Sequence, residues 1–473
     1  MTVATKGPTA ALCEFAAETQ LSDVPADVVE RATHLILDGL GCGLFAAKLD
    51  HSQRAVRALT GPVSGGGTSI WGWGKSTEPV TAAVLNGTFV QGFELDDYHE
   101  RGPLHSQSCV LPAMLSALSL GAEVSGEDVL LAALLGFETG PRIGASLGGL
   151  NLIARGWHCG PINGTISSAV GVGRTLGLDV RHMEYAIGIA ATQACGLMSA
   201  QYEAMVKRMH SGFAARNGLL AGMLAQEDFT GIDAVLEREY GGFAACFTQG
   251  EADLSKLTDE LGTRWELTSI SVKPYSCMGG LHTAVDAMRK LRQDDGIAAE
   301  DIVHIDVGLP EAMHAHGGWR PQRPATSTGA QMNIAYAIAV TALEGTAFVH
   351  QYAPDHLDSD AVWGLMDRIE TYRNPEFDAL GEDGRWSCLL DVETRDGEHH
   401  RCDVRHPLGS PTHPLSNEDI RKKFQSLTEL VLEPAEAQAI EDAVIGLADA
   451  PDANALLQAL SVEARDPFGE SSR

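Results

Sequence analysis

From its start to about residue 270 the chain repeats its apolar residues at helical spacing, and beyond that point the helical pattern is interrupted by alternating stretches. Val28, Ala32, Leu35, Ile36 and Leu40 fall on one stripe, and Ser125 with Asp128 forms a capping box in front of the apolar run Val129–Phe137. The stretches Met183–Ala194 and Ala214–Gln226 read the same way. Helices patterned like this must bury one face against another helix, so this part reads as helix on helix. Gly39, Gly41, Gly43, Gly218 and Gly222 lie inside the stripes, where each costs up to about 1 kcal/mol relative to alanine. Close approach of neighbouring helices is the expected compensation.

Near Trp265 the period changes. Val303, Ile305, Val307 and Leu309 alternate, and a second alternation through Leu390, Val392 and Thr394 meets Asp396-Gly397, a type I′ turn signal, before Cys402 and Val404. The helical stretches Thr283–Arg292 and Asn333–Leu343 lie between them. After Pro414 a cap at Ser416 and Asp419 opens a return to helix as far as about Leu460. The expected fold is mainly α with an α+β lid. A large helical domain, residues 1–270 and 411–473, is interrupted by a smaller mixed α+β domain, residues 271–410.

Charge narrows the partners. Lysine and arginine number 34 against 63 aspartates and glutamates, a formal net charge of −29. A field of that sign repels nucleic acid and anionic membrane, so neither is an expected partner. An anionic substrate would have to be drawn in by a local cluster of cations. The nine cysteines stand singly, with no CxxC pair, which argues against a zinc site or a disulfide framework and for a reducing compartment. The segment MTVATKGPTAALCEF lacks the charged and apolar regions of a signal peptide, and Val129–Phe137 is far short of the roughly 20 residues of a membrane span. The expected location is the cytoplasm.

Three groups of residues could carry chemistry. Glu94, Asp96, Asp97, Tyr98, His99 and His105 lie within twelve residues; they could hold a divalent metal, form an acid/base centre, or simply end a helix with solvated carboxylates. Lys207, Arg208 and His210 gather cations in a chain poor in them and lead into Gly212-Phe-Ala-Ala. If a helix begins near Gly212, its free N–H groups would point at a carboxylate or phosphate held there; a surface turn is the plain alternative. Lys273 sits in a loop shaped by Pro274, Gly279 and Gly280, where a lysine ordinarily faces solvent. His158 in Arg155-Gly-Trp-His and Tyr336 in a helical stretch mean little individually. No GxGxxG after a strand, GxxxxGK[ST], HExxH or GxSxG occurs. Cofactor-free acid/base chemistry on an anion survives.

On the strings ELDDYH with PLHS, GWHCG, TQACGLMSAQY, MVKR with GFAARNGLL, and GQM-x-x-AY, the chain resembles the MmgE/PrpD family over nearly its whole length, and most closely the branch of fungal cis-aconitate decarboxylases. The resemblance implies a homodimer, an active site between a helical domain and a lid, and no metal or organic cofactor. The implied activity is that of a carboxy-lyase forming itaconate and CO2 from cis-aconitate. The alternative within the family is dehydration of 2-methylcitrate or epimerisation of iminodisuccinate. The implied catalytic positions are Asp96, Tyr98, His105, Lys207, Lys273 and Tyr336, with Glu94, His158, Arg208 and Cys277 at the substrate. In this scheme the lysines hold carboxylates and His105 donates the proton. Many relatives carry a histidine shortly after the second lysine; here Cys277 and Met278 stand in that place.

Overall fold

The computed structural model describes residues 7–61, 66–121 and 124–469. It is mainly helical. The helix Cys159–Thr175 is packed against Ser106–Ala117, Gly126–Ser146 and Val206–Gln226, and the last of these also crosses Pro79–Val90. Glycine sets that crossing. A Cβ on Gly212 would lie 2.2 Å from the Val84 carbonyl oxygen, and one on Gly87 would lie 2.8 Å from the Gly212 Cα. Only hydrogen fits at either position, and the contact fixes the start of Val206–Gln226 beside the segment that follows Val90.

The stripe at Val28–Leu40 belongs to the helix Ala26–Ala46. Its Gly41 meets Phe424 of the helix Asn417–Thr428, so the chain after Pro414 packs back onto the first part. Ser416 and Asp419 cap each other reciprocally as expected, whereas at Ser125 only half of the box forms: the Asp128 N–H donates to the Ser125 hydroxyl at 3.1 Å, and Asp128 Oδ2 accepts from that hydroxyl at 2.7 Å rather than from the Ser125 backbone. Among the described residues no single helix is long and apolar enough to cross a membrane.

The strands are few. β1 (Thr68–Ile70) pairs β2 (Lys75–Thr77), and β3 (Tyr98–His99) pairs β4 (Ile270–Ser271). The larger sheet runs in the order β6 (Ile369–Arg373), β5 (Ile302–Leu309), β7 (Cys388–Thr394), β8 (His399–Val404), with β5–β6 parallel and the other pairings antiparallel. The helices His282–Asp294 and Ile334–Glu344 accompany it.

Three local expectations need correction. A bulge between Ile302 and His304 turns Val303 out to solvent, so Ile302, rather than Val303, joins Ile305, Val307 and Leu309 inside. The β7–β8 turn is not type I′, because only Gly397, at φ 82°, is left-handed; the Gly397 N–H donates to the Thr394 carbonyl in a three-residue loop. The helix expected to open near Gly212 begins at Val206. Lys207 and Arg208 therefore lie in its first turn, and Gly212 is interior.

Candidate active site

Backbone pairing assembles the site from distant segments. Tyr98 registers with Ser271, which carries the loop 91–97 to within reach of Lys273. The glycine crossing brings the first turn of Val206–Gln226 to the same loop. At its centre Glu94 adopts φ 55°, a left-handed conformation that costs a non-glycine residue about 1–3 kcal/mol and persists only where surroundings enforce it. Here three cations enforce it. Glu94 Oε1 accepts from Lys207 Nζ at 2.5 Å and also from Arg208 Nη1, and Oε2 accepts from Lys273 Nζ at 3.2 Å. All four side chains are at most 3% exposed.

Asp96 extends the array. Its Oδ1 faces Lys273 Nζ at 3.4 Å, and its Oδ2 lies 3.1 Å from His105 Nδ1. His105 Nδ1 is also 2.7 Å from the Asp97 carbonyl, which can only accept, so this nitrogen carries hydrogen and the proton-exchanging atom is Nε2. The Asp97 carboxylate receives the N–H groups of Ser106 at 2.8 Å and Gln107 at 3.0 Å, pinning the start of the helix Ser106–Ala117 beside His105. Behind the array, Arg208 Nη2 donates to Gln331 Oε1 at 2.6 Å, and Gln331 returns a hydrogen bond to the Phe93 carbonyl at 2.9 Å. Lys423 Nζ donates to the Leu95 carbonyl at 2.5 Å. The loop is thus held from several sides.

Counted as charges, Lys207, Arg208 and Lys273 face Glu94 and Asp96, three against two. The pocket is basic by one charge rather than three. Burial alone would raise Glu94, yet Lys207, Lys273 and Arg208 hold it well below the usual carboxylate range. Asp96 is lowered likewise, with Lys273 and His105 outweighing its burial. Burial and the neighbouring Asp96 push Asp97 up to about 7. Burial lowers Lys207 despite Glu94, whereas for Lys273 the two carboxylates overcome burial and raise it.

The array borders a cavity of about 520 Å³. Glu94, Tyr98, His105, His158, Lys207 and Lys273 all line it. Asp96 is not in the wall and acts through His105 and Lys273. Arg208 faces a different cavity and reaches the site only through Glu94. Two expected residues stand apart. The Tyr336 hydroxyl donates to the Gln351 carbonyl at 2.9 Å and its ring packs 5.4 Å from that of Tyr352, because the Asn333 cap sets the helix Ile334–Glu344 with Tyr336 inward. Cys277 is fully buried, its thiol pushed up to about 12, and it is absent from the cavity wall.

The wall also contains His316, which no sequence pattern singled out. It lies on the helix Glu311–Gly317, where Ala312, Met313, Ala315 and His316 face the cavity at helical spacing. That spacing was the available signal. Among the described residues its ring has no hydrogen-bond partner, and burial and Lys207 push it down to about 4. Met198, Met278, Met313, Met332 and Trp386 give the cavity apolar surface as well. Ammonium groups, an imidazole backed by a carboxylate, and apolar wall suit proton transfer to a small polycarboxylate.

A fold of stacked helices with a small sheet, enclosing such a site, places the chain in a known class. It belongs to the MmgE/PrpD family: the MmgE/PrpD N-terminal domain matches residues 10–255 and the C-terminal domain residues 275–449. It is 41% identical over 472 residues to the cis-aconitate decarboxylase-like protein oryM of Aspergillus oryzae, covering 96% of this chain and 97% of that one. To the cis-aconitate decarboxylase of Aspergillus terreus it is 39% identical over 486 residues, 98% of each chain. The Mus musculus cis-aconitate decarboxylase is 25% identical over 452 residues, 92% of this chain and 89% of that one.

Proposed function

We propose that this protein is a carboxy-lyase that converts cis-aconitate to itaconate and CO2 by acid/base chemistry of its own side chains. The observation that carries the reading is the joint presence in one cavity wall of Lys207, Lys273 and His105, the last backed by Asp96. The near-full-length likeness to proteins named cis-aconitate decarboxylase selects the substrate.

Decarboxylation needs cations for the carboxylates that stay and none for the one that leaves. The ammonium groups of Lys207 and Lys273 hold the former. At about 4 Å and an effective dielectric near 20 each contact is worth about 4 kcal/mol before desolvation, enough to draw a trianion into an acidic molecule. Glu94 keeps the two ammonium groups side by side by offsetting their repulsion. The CH2-COO⁻ arm rests against the methionines and Trp386, where no cation opposes its departure. Breaking its C–C bond leaves an electron pair that shifts through the double bond to the former vinylic carbon. His105 Nε2–H protonates that carbon, and Asp96 stabilises the imidazolium beforehand. A positioned general acid contributes about 10²–10⁴ in rate.

In the same reading residues 271–410 form a lid over the helical body, supported by the cavity wall drawing Lys273, Met278, Met313, His316 and Trp386 from that segment. A homodimer is part of the proposal. Leu197, Tyr202, Met205 and Val206, exposed apolar residues next to the site, support it, and light scattering at twice the 50.2 kDa chain mass tests it.

The activity is tested by incubating the pure protein with cis-aconitate and following proton NMR. Itaconate signals are expected. An unchanged spectrum, with turnover of 2-methylcitrate or iminodisuccinate instead, would reassign the chemistry.

A further inference from the structure

Two ammonium groups face a substrate with three carboxylates. Lys207 and Lys273 take the two that stay, and the methionines and Trp386 around the third give it shape but no direction. Direction matters there, because the C–C bond of the CH2-COO⁻ arm must align with the double bond that receives its electrons.

Gln201 stands in the wall beside that arm. It is 5% exposed and lines the cavity, yet among the described residues its side-chain amide makes no hydrogen bond: Oε1 is buried without a partner, and Nε2 is equally uncommitted. The structural glutamines of the same site are spent at both ends. Gln331 accepts from Arg208 and donates to the Phe93 carbonyl, and Gln107 accepts from the Asp97 N–H and donates to Asp38. Buried amides are ordinarily paired in this way, so one left unpaired at a cavity calls for a ligand.

The backbone around Gln201 is fixed. Leu197 bridges to Trp157, the His158 N–H donates to the Gly196 carbonyl at 3.0 Å, and the Met198 N–H donates to the Gly156 carbonyl at 2.8 Å. The single 3-10 turn Met198–Gln201 follows, and residues three apart eclipse in such a turn. Gln201 therefore shares a face with Met198, one of the methionines against which the arm rests. An amide offers two N–H donors without net charge, and with neither end committed its terminal torsion is free to bring them to a ligand. An ammonium there would hold the departing carboxylate in place, whereas an uncharged donor orients it and lets go of neutral CO2.

We infer that Gln201 binds the third carboxylate of the substrate, the one lost as CO2, and so selects tricarboxylates over dicarboxylates; the inference rests on the polycarboxylate reading of this cavity.

The test measures binding without turnover. Propane-1,2,3-tricarboxylate and methylsuccinate share a skeleton and differ by one carboxylate, and neither has the double bond that decarboxylation needs. Calorimetric titration compares them on wild type and on Gln201→Met, which fills the same volume without donors, with Gln201→Leu as a second variant should the thioether pack poorly. The variants should lose about 10–100-fold in affinity for the tricarboxylate and stay within about twofold of wild type for methylsuccinate. Equal weakening of both ligands, the mark of a damaged wall, overturns the assignment, as does unchanged affinity for both. A loss confined to citrate, which adds a hydroxyl to the tricarboxylate skeleton, gives the amide to a hydroxyl and overturns it too. Failure of the function itself shows separately, in the wild type: binding of neither ligand sinks the polycarboxylate reading, and the expected discrimination without itaconate from cis-aconitate keeps the Gln201 contact while sinking the decarboxylation.

Discussion

Two buried ion clusters of similar make-up have opposite characters. On the helix Gly126–Ser146, Arg142 Nε donates to Glu138 at 2.6 Å, while its two Nη atoms donate to the carbonyls of Asp259 at 2.7 Å and Arg264 at 2.6 Å. The remaining Glu138 oxygen accepts from the Leu267 N–H at 3.0 Å. Each Arg142 nitrogen and each Glu138 oxygen has a partner, and the result ties the segment before β4 to the helical body. The Glu94 cluster is as deeply buried, yet Lys207 and Lys273 open on a cavity that His105, His158 and His316 also line. Buried charge by itself therefore marks no site. What distinguishes the Glu94 array is hydrogen-bonding capacity left unspent against a cavity.

If that distinction is right, substitutions in the two clusters separate activity from stability. The largest effect is expected from His105→Gln, which should lower kcat on cis-aconitate by about 10²–10⁴ with little change in melting temperature, since its side chain is 17% exposed and the amide can still reach Asp97. Steady-state kinetics with a thermal melt checks both halves, and a variant that kept its kcat would remove His105 from the chemistry. Arg142→Met should do the reverse. It strands a buried Glu138 and costs about 3–5 kcal/mol of stability, while the folded fraction turns over at the wild-type rate. Denaturant unfolding combined with active-site-normalised kcat would expose an error if activity fell and stability did not.

The smallest effect is graded with pH and centres on the active site. Burial pushes His51 and His282 down to about 3, His210 and His316 down to about 4, and His158 well below its ordinary value. Each stays neutral in the fold and takes a proton on unfolding, so its contribution is present above pH 6.5 and lost as pH falls toward the folded value. Asp97, Glu100 and Glu138, raised to about 7, act oppositely over the same range. Five groups outweigh three. Stability should fall by about 1–3 kcal/mol per pH unit below pH 6, with hydrogen exchange quickening first around His158 and Lys207. Melting temperatures that rise from pH 6.5 to pH 5 would contradict this balance.

Much of this was legible in the sequence where the signal is local. The stripe from Val28 to Leu40, the N-caps at Ser125 and Ser416, and the existence of the β7–β8 hairpin, though not its turn type, needed only period, cap and turn residues. The pairing of Tyr98 with Ser271 was not legible, because each strand is two residues long and gains its meaning from a partner more than 170 positions away. The start of Val206–Gln226 was missed for a related reason: Met205 offers no capping side chain, and the glycine crossing, not a cap, decides where the helix sits. At the site, residue types revealed the cations and His105 but not their mutual neutralisation by Glu94. His316 escaped because four positions at helical spacing on a seven-residue helix are too short a signal to stand out until the cavity is seen.

The central claim is that a proton from the protein lands on the former vinylic carbon as CO2 leaves the other arm. Running the reaction in D2O and reading itaconate by proton NMR tests it directly. The account predicts one deuterium on the CH2 beside the carboxylate and an unlabelled terminal =CH2, with both product and label nearly lost in His105→Gln. Deuterium in the terminal methylene, or labelled cis-aconitate with no itaconate formed, would contradict it.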